Sequence, residues 1–354
     1  MTNMRSSHSQ TATAPSGTWR ITRLDTVSRV ALAAFGVIVV LLAFLPFVFA
    51  APAQNVMTSI FLLVAMASMW NLLAGYAGLV SFGQQAFVGV GAYCLLVLVR
   101  AGLDPYLAVP LAALASFLIA IPLSYGLFRT RGAYFAIATW VVAETFRLLV
   151  ITVPALGGGE GATLPATGYD PVTRTALTYW TALVVALASL AGIWLLLRSR
   201  LGLDAAAVRD DEHAAFALGV SSDRARRIPY LVSAAGFGAV GAVLFLSNLR
   251  VEPASIFSVN YSANAFFMAL IGGVGTIEGP ILGALIFYGL QFYLSSLGSW
   301  YLVILGLLAI VVMLVIPEGI WGWASRRTGA VLFPIGYRLR PGRRPPAAKD
   351  GENR

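Results

Sequence analysis

Few residues in this chain could do chemistry, and their spacing limits what that chemistry would be. The single cysteine, Cys94, lies beside Leu95 and Leu96 in an apolar run, which suits a packed thiol and rules out an intrachain disulfide. The two histidines, His8 and His213, stand far apart in polar segments, so no metal site is expected. The only lysine, Lys349, follows Ala348, whereas a phosphate-binding P-loop needs a lysine directly after its last glycine. ATP hydrolysis by that route is excluded. No carboxylate pair or nucleophile–base set is visible, so no catalytic residue is expected. Inside apolar sequence there remain Glu144 and Arg147, in the run Gly132 to Leu156. Three residues apart on a helix they share a face and can pair. Charges within a span are costly, so the pair is either a structural ion pair or a participant in solute passage.

The elements that must position these residues are membrane helices. The chain has 354 residues, 58% hydrophobic and 11% charged, where soluble domains carry about 25% charged residues. Between Arg29 and Arg100 there is no Asp, Glu, Lys or Arg. At about 20 residues per span that interval holds three crossings. The expected fold is an all-α polytopic membrane protein of about eight to ten spans. The net charge of +9 is unevenly spread: 20 of the 24 basic residues fall up to Arg29, at Arg129 and Arg131, from Arg198 to Arg227, and from Arg326 on. With those segments cytoplasmic, the positive-inside rule puts both termini inside and argues against nucleic acid as the partner.

The stretch from Asn71 to Tyr93 carries no charge but is broken by Gly75, Gly78, Gly83, Gly89 and Gly91. Glycine lets backbones approach closely and lets a chain turn within a membrane. Ser81, Gln84 and Gln85 bring polar groups to the same place, and buried polar groups need partners. The break is either close packing around a tight turn or a lining of a transport path, and the two are compatible. A second break, Gly272-Gly273-Val274-Gly275-Thr276-Ile277-Glu278-Gly279-Pro280, interrupts the run from Pro253 to Pro317, where Glu278 is the only charge. Two such breaks, one in each half, are what an internally duplicated transporter shows near its pathway, although the similarity between them is too weak to define an inverted repeat.

In chain order, residues 1–28 read as a disordered cytoplasmic tail and residues 29–323 as the membrane domain. Spans are expected over Val30 to Ala50, Val56 to Ala74, Gln85 to Val99, Tyr106 to Phe128, Gly132 to Leu156, Tyr179 to Leu197 and Ile228 to Ser247, with about three more from Pro253 on. Pro110 and Pro122 can kink the fourth. In the seventh, Ala234, Gly238 and Ala242 form a small-residue stripe for close packing. Gly157 to Thr178 is an outer loop opening with a glycine-rich turn. Residues 198–227 form a cytoplasmic loop whose alanine runs, interrupted by Arg209, Asp210, Asp211 and Glu212 and stopped at Gly219, predict a short amphipathic helix. It is either a solvated surface or a docking helix for a soluble subunit. Residues 324–354 form a basic cytoplasmic tail.

Taken together the motifs resemble the inner-membrane permease subunits of high-affinity branched-chain amino acid ABC transporters, the longer of the two permeases above all. The resemblance covers about residues 55 to 323. It rests on Gly75-Tyr76-Ala77-Gly78 with Ser81 to Phe87 and Gly91-Ala92-Tyr93, on Arg131 to Ala136 with Thr139, and on the turn at Gly157 to Gly161. Leu201-Gly202 with Val208 to Gly219, Gly272 to Pro280 with Gly283-Ala284, and Pro317 to Gly322 complete it.

The resemblance implies a bacterial inner-membrane, multi-pass subunit paired with a second permease, two ATPase subunits and a periplasmic binding protein. ATP is then used by those partners, and no cofactor is expected in this chain. It also implies that Arg209, Asp210, Asp211, Glu212, Ala215, Phe216 and Gly219 couple to the ATPases. His213 stands where the family's Glu-Ala-Ala signature has its glutamate, and Glu212 sits one place early. Candidate path or packing residues are Gly75, Gly78, Ser81, Gly83, Gln84, Gln85, Gly272, Gly273, Gly275 and Glu278. Branched-chain or related amino acids are the expected solutes. Urea or short amides moved by the same architecture, and a self-sufficient ion-coupled carrier or channel, are the alternatives.

Overall fold

Uncharged apolar runs bounded by prolines and capping aspartates fold here into helices of membrane length. The computed structural model describes residues 19–22, 26–165, 168–294, 298, 300–316, 318–328, 333 and 338–341. The first helices are α1 (Thr26–Val48), α2 (Ala51–Asn71), α3 (Gln85–Arg100), α4 (Pro105–Leu127), α5 (Ala133–Ile151) and α6 (Pro171–Arg198). Two short helices, α7 (Arg200–Asp210) and α8 (Glu212–Ala217), precede the long α9 (Ser222–Asn248). Then come α10 (Pro253–Ile256), α11 (Asn260–Gly272), α12 (Glu278–Leu294), α13 (Trp300–Val315) and α14 (Gly319–Thr328). Strands are few among the described residues. β1 (Trp19–Thr22) pairs antiparallel with β4 (Arg338–Pro341), and β2 (Ala162–Thr163) with β3 (Arg250–Val251).

Among the described residues, six helices are long and apolar enough to cross a membrane: Ala51–Tyr76, Pro105–Leu127, Ala133–Ile151, Pro171–Arg198, Ser222–Asn248 and Pro253–Gly272. Ala33–Val48 and Gln85–Arg100 are shorter apolar helices. α12 and α13, of 17 and 16 residues, occupy the remaining places where crossings are expected.

Caps set where several helices begin. Asp104 accepts from the N–H groups of Tyr106 and Leu107 at 2.9 and 3.3 Å, and Pro105 opens α4 at a position that needs no N–H. Asp170 and Pro171 do the same for α6, which therefore starts eight residues before the expected Tyr179.

The interior is closed by backbone contact. A Cβ on Gly91 would run into the Gly238 carbonyl, and one on Gly241 into the Val88 carbonyl, so α3 and α9 touch main chain to main chain. Gly238 also faces Ser116 of α4, which confirms the packing role of the small-residue stripe. Phe87, Phe128 and Phe135 surround Tyr230 with ring centroids 5.6–6.5 Å away, joining α3, α5 and α9.

Most of the two expected tails, residues 1–18 and 342–354, and Pro317 lie outside the described residues. Trp19–Thr22, within the expected N-terminal tail, is strand β1, and α14 runs across the expected boundary at residue 323. Residues 198–227 hold two helices and the first turns of α9, not one short helix. The break falls at Asp211, which adopts an extended conformation and turns its carboxylate onto the N–H groups of His213 and Ala214 at 2.9 and 3.0 Å.

Candidate functional site

The first Gly-rich break begins where α2 runs into a π-helical turn, Leu72–Tyr76. A π-turn inserts a residue into the helix and is frequent at functional positions. Gly78 then takes φ +68°, the left-handed region that favours glycine, and the chain doubles back toward α3. The serine and glutamine side chains of the turn find partners, whereas the buried Tyr76 hydroxyl has none. The Trp70 indole N–H donates to the Ser81 carbonyl at 2.9 Å, and the Gln84 amide donates to Ser81 Oγ at 3.1 Å. Ser233 Oγ donates to the Met69 carbonyl at 3.0 Å. Ser262 of α11 donates to Gln85 Oε1 and accepts the Gln85 backbone N–H. Gly83 lies so close to α5 that a Cβ would collide with the Thr139 carbonyl. Ser81, Gln84 and Gln85 are fully buried, so irregular backbone at this depth is covered by protein.

The second break is built the same way. Gly273 and Gly275 have φ +131° and +82°, and Thr276 Oγ1 ties the turn by donating to the Gly273 carbonyl at 2.9 Å. Gly272 faces the Gly279 carbonyl with no room for a side chain. Glu278, nearly buried, opens α12 and accepts the Phe333 N–H at 2.9 Å.

The two breaks meet. Asn71 Nδ2 donates to the Thr276 carbonyl at 2.7 Å, and Asn71 Oδ1 accepts the Gly275 N–H at 2.8 Å. A Cβ on Gly75 would stand 2.6 Å from the Gly275 nitrogen, so the approach requires glycine at position 75, while Gly275 is favoured by its φ of +82°. Asn71, which joins the two breaks, was not singled out from the sequence, although an amide ending an uncharged span was a visible signal.

The third participant comes from α7. Arg209 Nη1 donates to the Gly75 carbonyl, and its aliphatic stem lies over Gly78, where a Cβ would be 3.0 Å from Arg209 Cγ. Its Nε holds Asp210 Oδ1 at 2.9 Å. Glu212, at the start of α8, is clamped by Arg226 of α9 at 2.9 and 3.1 Å, with Arg131 at 3.4 Å. The Arg226 hydrogen bonds hold the Glu212 carboxyl below its usual range against the opposing effect of burial. These side chains rim a cleft of about 650 Å³ with Gly78, Val80 and Gly132. Ala215 is buried against Val208 and Ala225. Phe216 and Leu218 project outward, 75% and 83% exposed, and Gly219 closes the segment at φ +82°.

The sequence-selected residues thus fall into two places. The break residues and Arg209, Glu212 and Ala215 gather at one end of the helical body. Glu144 and Arg147 pair along α5 instead, Nε to Oε1 at 2.8 Å, with side chains 46% and 27% exposed. Among the described residues no group of three His, Cys, Asp or Glu is placed to hold a metal ion.

Membrane-length helices around two joined Gly-rich breaks define an all-α polytopic membrane protein. The family model described as "Branched-chain amino acid transport system / permease component" matches residues 53–316. The chain is 27% identical over 305 residues to the high-affinity branched-chain amino acid transport system permease protein LivM of Salmonella typhimurium and to that of Escherichia coli K12. Those alignments cover 78% of this chain and 71% of each relative. Similarity to the LivH permease protein of Salmonella typhimurium is 26% over 280 residues, covering 72% of this chain and 89% of the relative. No solved structure matches. The chain belongs to the family of branched-chain amino acid transport permease components, multi-pass proteins of the inner membrane.

Proposed function

We propose that this chain is the membrane-spanning subunit of an ATP-binding-cassette importer that carries branched-chain or related amino acids inward. The end of the body bearing α7 and α8 is cytoplasmic, because the basic residues concentrate there. Both tails and residues 198–227 lie on that side. Two ATPase subunits supply the energy and use the ATP. A second permease completes the pore, and a periplasmic binding protein delivers the solute. The family match and the names of the LivM and LivH relatives support this reading.

The observation that carries it is the pair Phe216 and Leu218, exposed at the end of a capped helix whose base is fixed to the body by Glu212. Large apolar side chains held rigidly in the open are anchors for a groove on a soluble partner. The joined breaks from Gly75 to Gln85 and from Gly272 to Glu278 then lie at the inner end of the solute path. Uptake of labelled leucine and labelled urea, in cells lacking the gene and cells with it restored, tests the solute. Loss and recovery of leucine uptake is the expected result. Loss of urea uptake alone would replace the amino acid by an amide in the same architecture.

A further inference from the structure

Within the coupling segment, Arg209, near the end of α7, reaches back into the helical body. Arg209 ends its reach at the Gly75 carbonyl, in the π-helical turn of α2, with its stem seated on Gly78. One residue, Asp211, separates α7 from α8 and caps α8 in an extended conformation. A displacement of α8 therefore reaches Arg209 through a single link. Gly75 in turn abuts Gly275, and Asn71 bonds the Gly275 N–H and the Thr276 carbonyl, so the carbonyl Arg209 holds belongs to the joint between both breaks.

We propose that Arg209 is the positioning residue that transmits movement of the docking helix to that joint. The proposal rests on the importer reading given above. Three features make the contact suited to the task. The acceptor lies in a π-turn, whose extra residue makes the helix locally deformable. The surfaces that must slide, at Gly75, Gly78 and Gly275, carry no side chains to interlock. And a planar guanidinium can hold a carbonyl and a carboxylate at once, here Gly75 and Asp210, which gives the link a defined direction. Arg209 alone among the coupling residues touches both the segment that meets the ATPases and the break.

The test uses the complete complex in proteoliposomes and reads solute moved per ATP hydrolysed, together with ATPase co-purification and the melting temperature of the permease. In Arg209→Ala, co-purification should stay near wild type, hydrolysis within about twofold and the melting temperature no lower than the loss of one hydrogen bond explains, while solute per ATP should fall at least tenfold. Arg209→Lys should keep solute per ATP within about threefold of wild type, since its ammonium still reaches the Gly75 carbonyl. Should Arg209→Ala fail to assemble, the lysine variant carries the test: it must assemble and move about two- to threefold less solute per ATP, and an undiminished yield in it would overturn the proposal. Wild-type yield in Arg209→Ala would overturn the proposal. So would a parallel loss of hydrolysis and melting temperature, which would make Arg209 a staple, or loss of the ATPases, which would make it a docking contact. If the wild-type permease itself retains no ATPase subunits, the importer reading fails instead.

Discussion

Asn71 and Gly275, 204 residues apart in the chain, are joined by a 2.8 Å hydrogen bond from the Gly275 N–H to the Asn71 amide oxygen. The same amide donates to the Thr276 carbonyl at 2.7 Å, so one side chain closes both Gly-rich breaks. Replacing Asn71 by Ala leaves two poorly exposed backbone groups without a partner, at a cost of about 1–3 kcal/mol each. The expected outcome is a clear drop in the melting temperature of the detergent-solubilised protein. An unchanged melting temperature would show that the breaks are held by other contacts.

Gly83 and Gly192 make opposite demands on an added methyl. At Gly83 it would strike the Thr139 carbonyl, whereas at Gly192 nothing lies within 4 Å. Gly83→Ala should therefore destabilise by about 1–3 kcal/mol and push α5 from the turn. Gly192→Ala, within helix α6, should be neutral or stabilise by up to about 1 kcal/mol. Paired melting curves distinguish them, and Gly83→Leu should also abolish uptake.

Phe216 contributes little to the fold, being 75% exposed. Phe216→Ser and Leu218→Ser should leave the melting temperature unchanged yet reduce recovery of ATPase subunits with the permease by tenfold or more. Replacing Glu212 in the same variant would confuse the result, because Glu212 is held by Arg226 and Arg131 within this chain.

That ion-paired carboxylate also sets a pH dependence. Arg226 lowers the Glu212 pKa in the folded chain. The stabilisation is then fully present above the unfolded value of about 4.3 and is lost as pH falls through the lower folded value. The melting-temperature gap between wild type and Glu212→Gln should hold steady from about pH 8 to about pH 5 and shrink only below the ordinary carboxylate range. A gap that closes above about pH 5 would contradict the pairing.

Local signals were readable and distant ones were not. The start of α3 at Gln85 and the stop at Gly219 follow from patterning and glycine placement, and the structure has both. Asp211 as a cap was equally local, but the alanine runs on either side of it masked the break between α7 and α8. The inward turn of Arg209 was not legible. It depends on Gly75 lying next to Gly275, and no local pattern specifies contact between residues 200 apart. The family resemblance implies that Arg209 and Glu212 couple to the ATPases, while within the chain their hydrogen bonds run to Gly75 and Arg226. The glycines themselves were the useful clue, since both breaks are places where main chains touch.

The most direct measurement is ATP-driven uptake of labelled leucine into proteoliposomes holding this chain with its second permease, two ATPase subunits and the binding protein. Accumulation that requires ATP and binding protein, and that is lost when the ATPase subunits are left out, is the expected result. Leucine uptake by this chain alone, driven by an ion gradient without the ATPases, would contradict it.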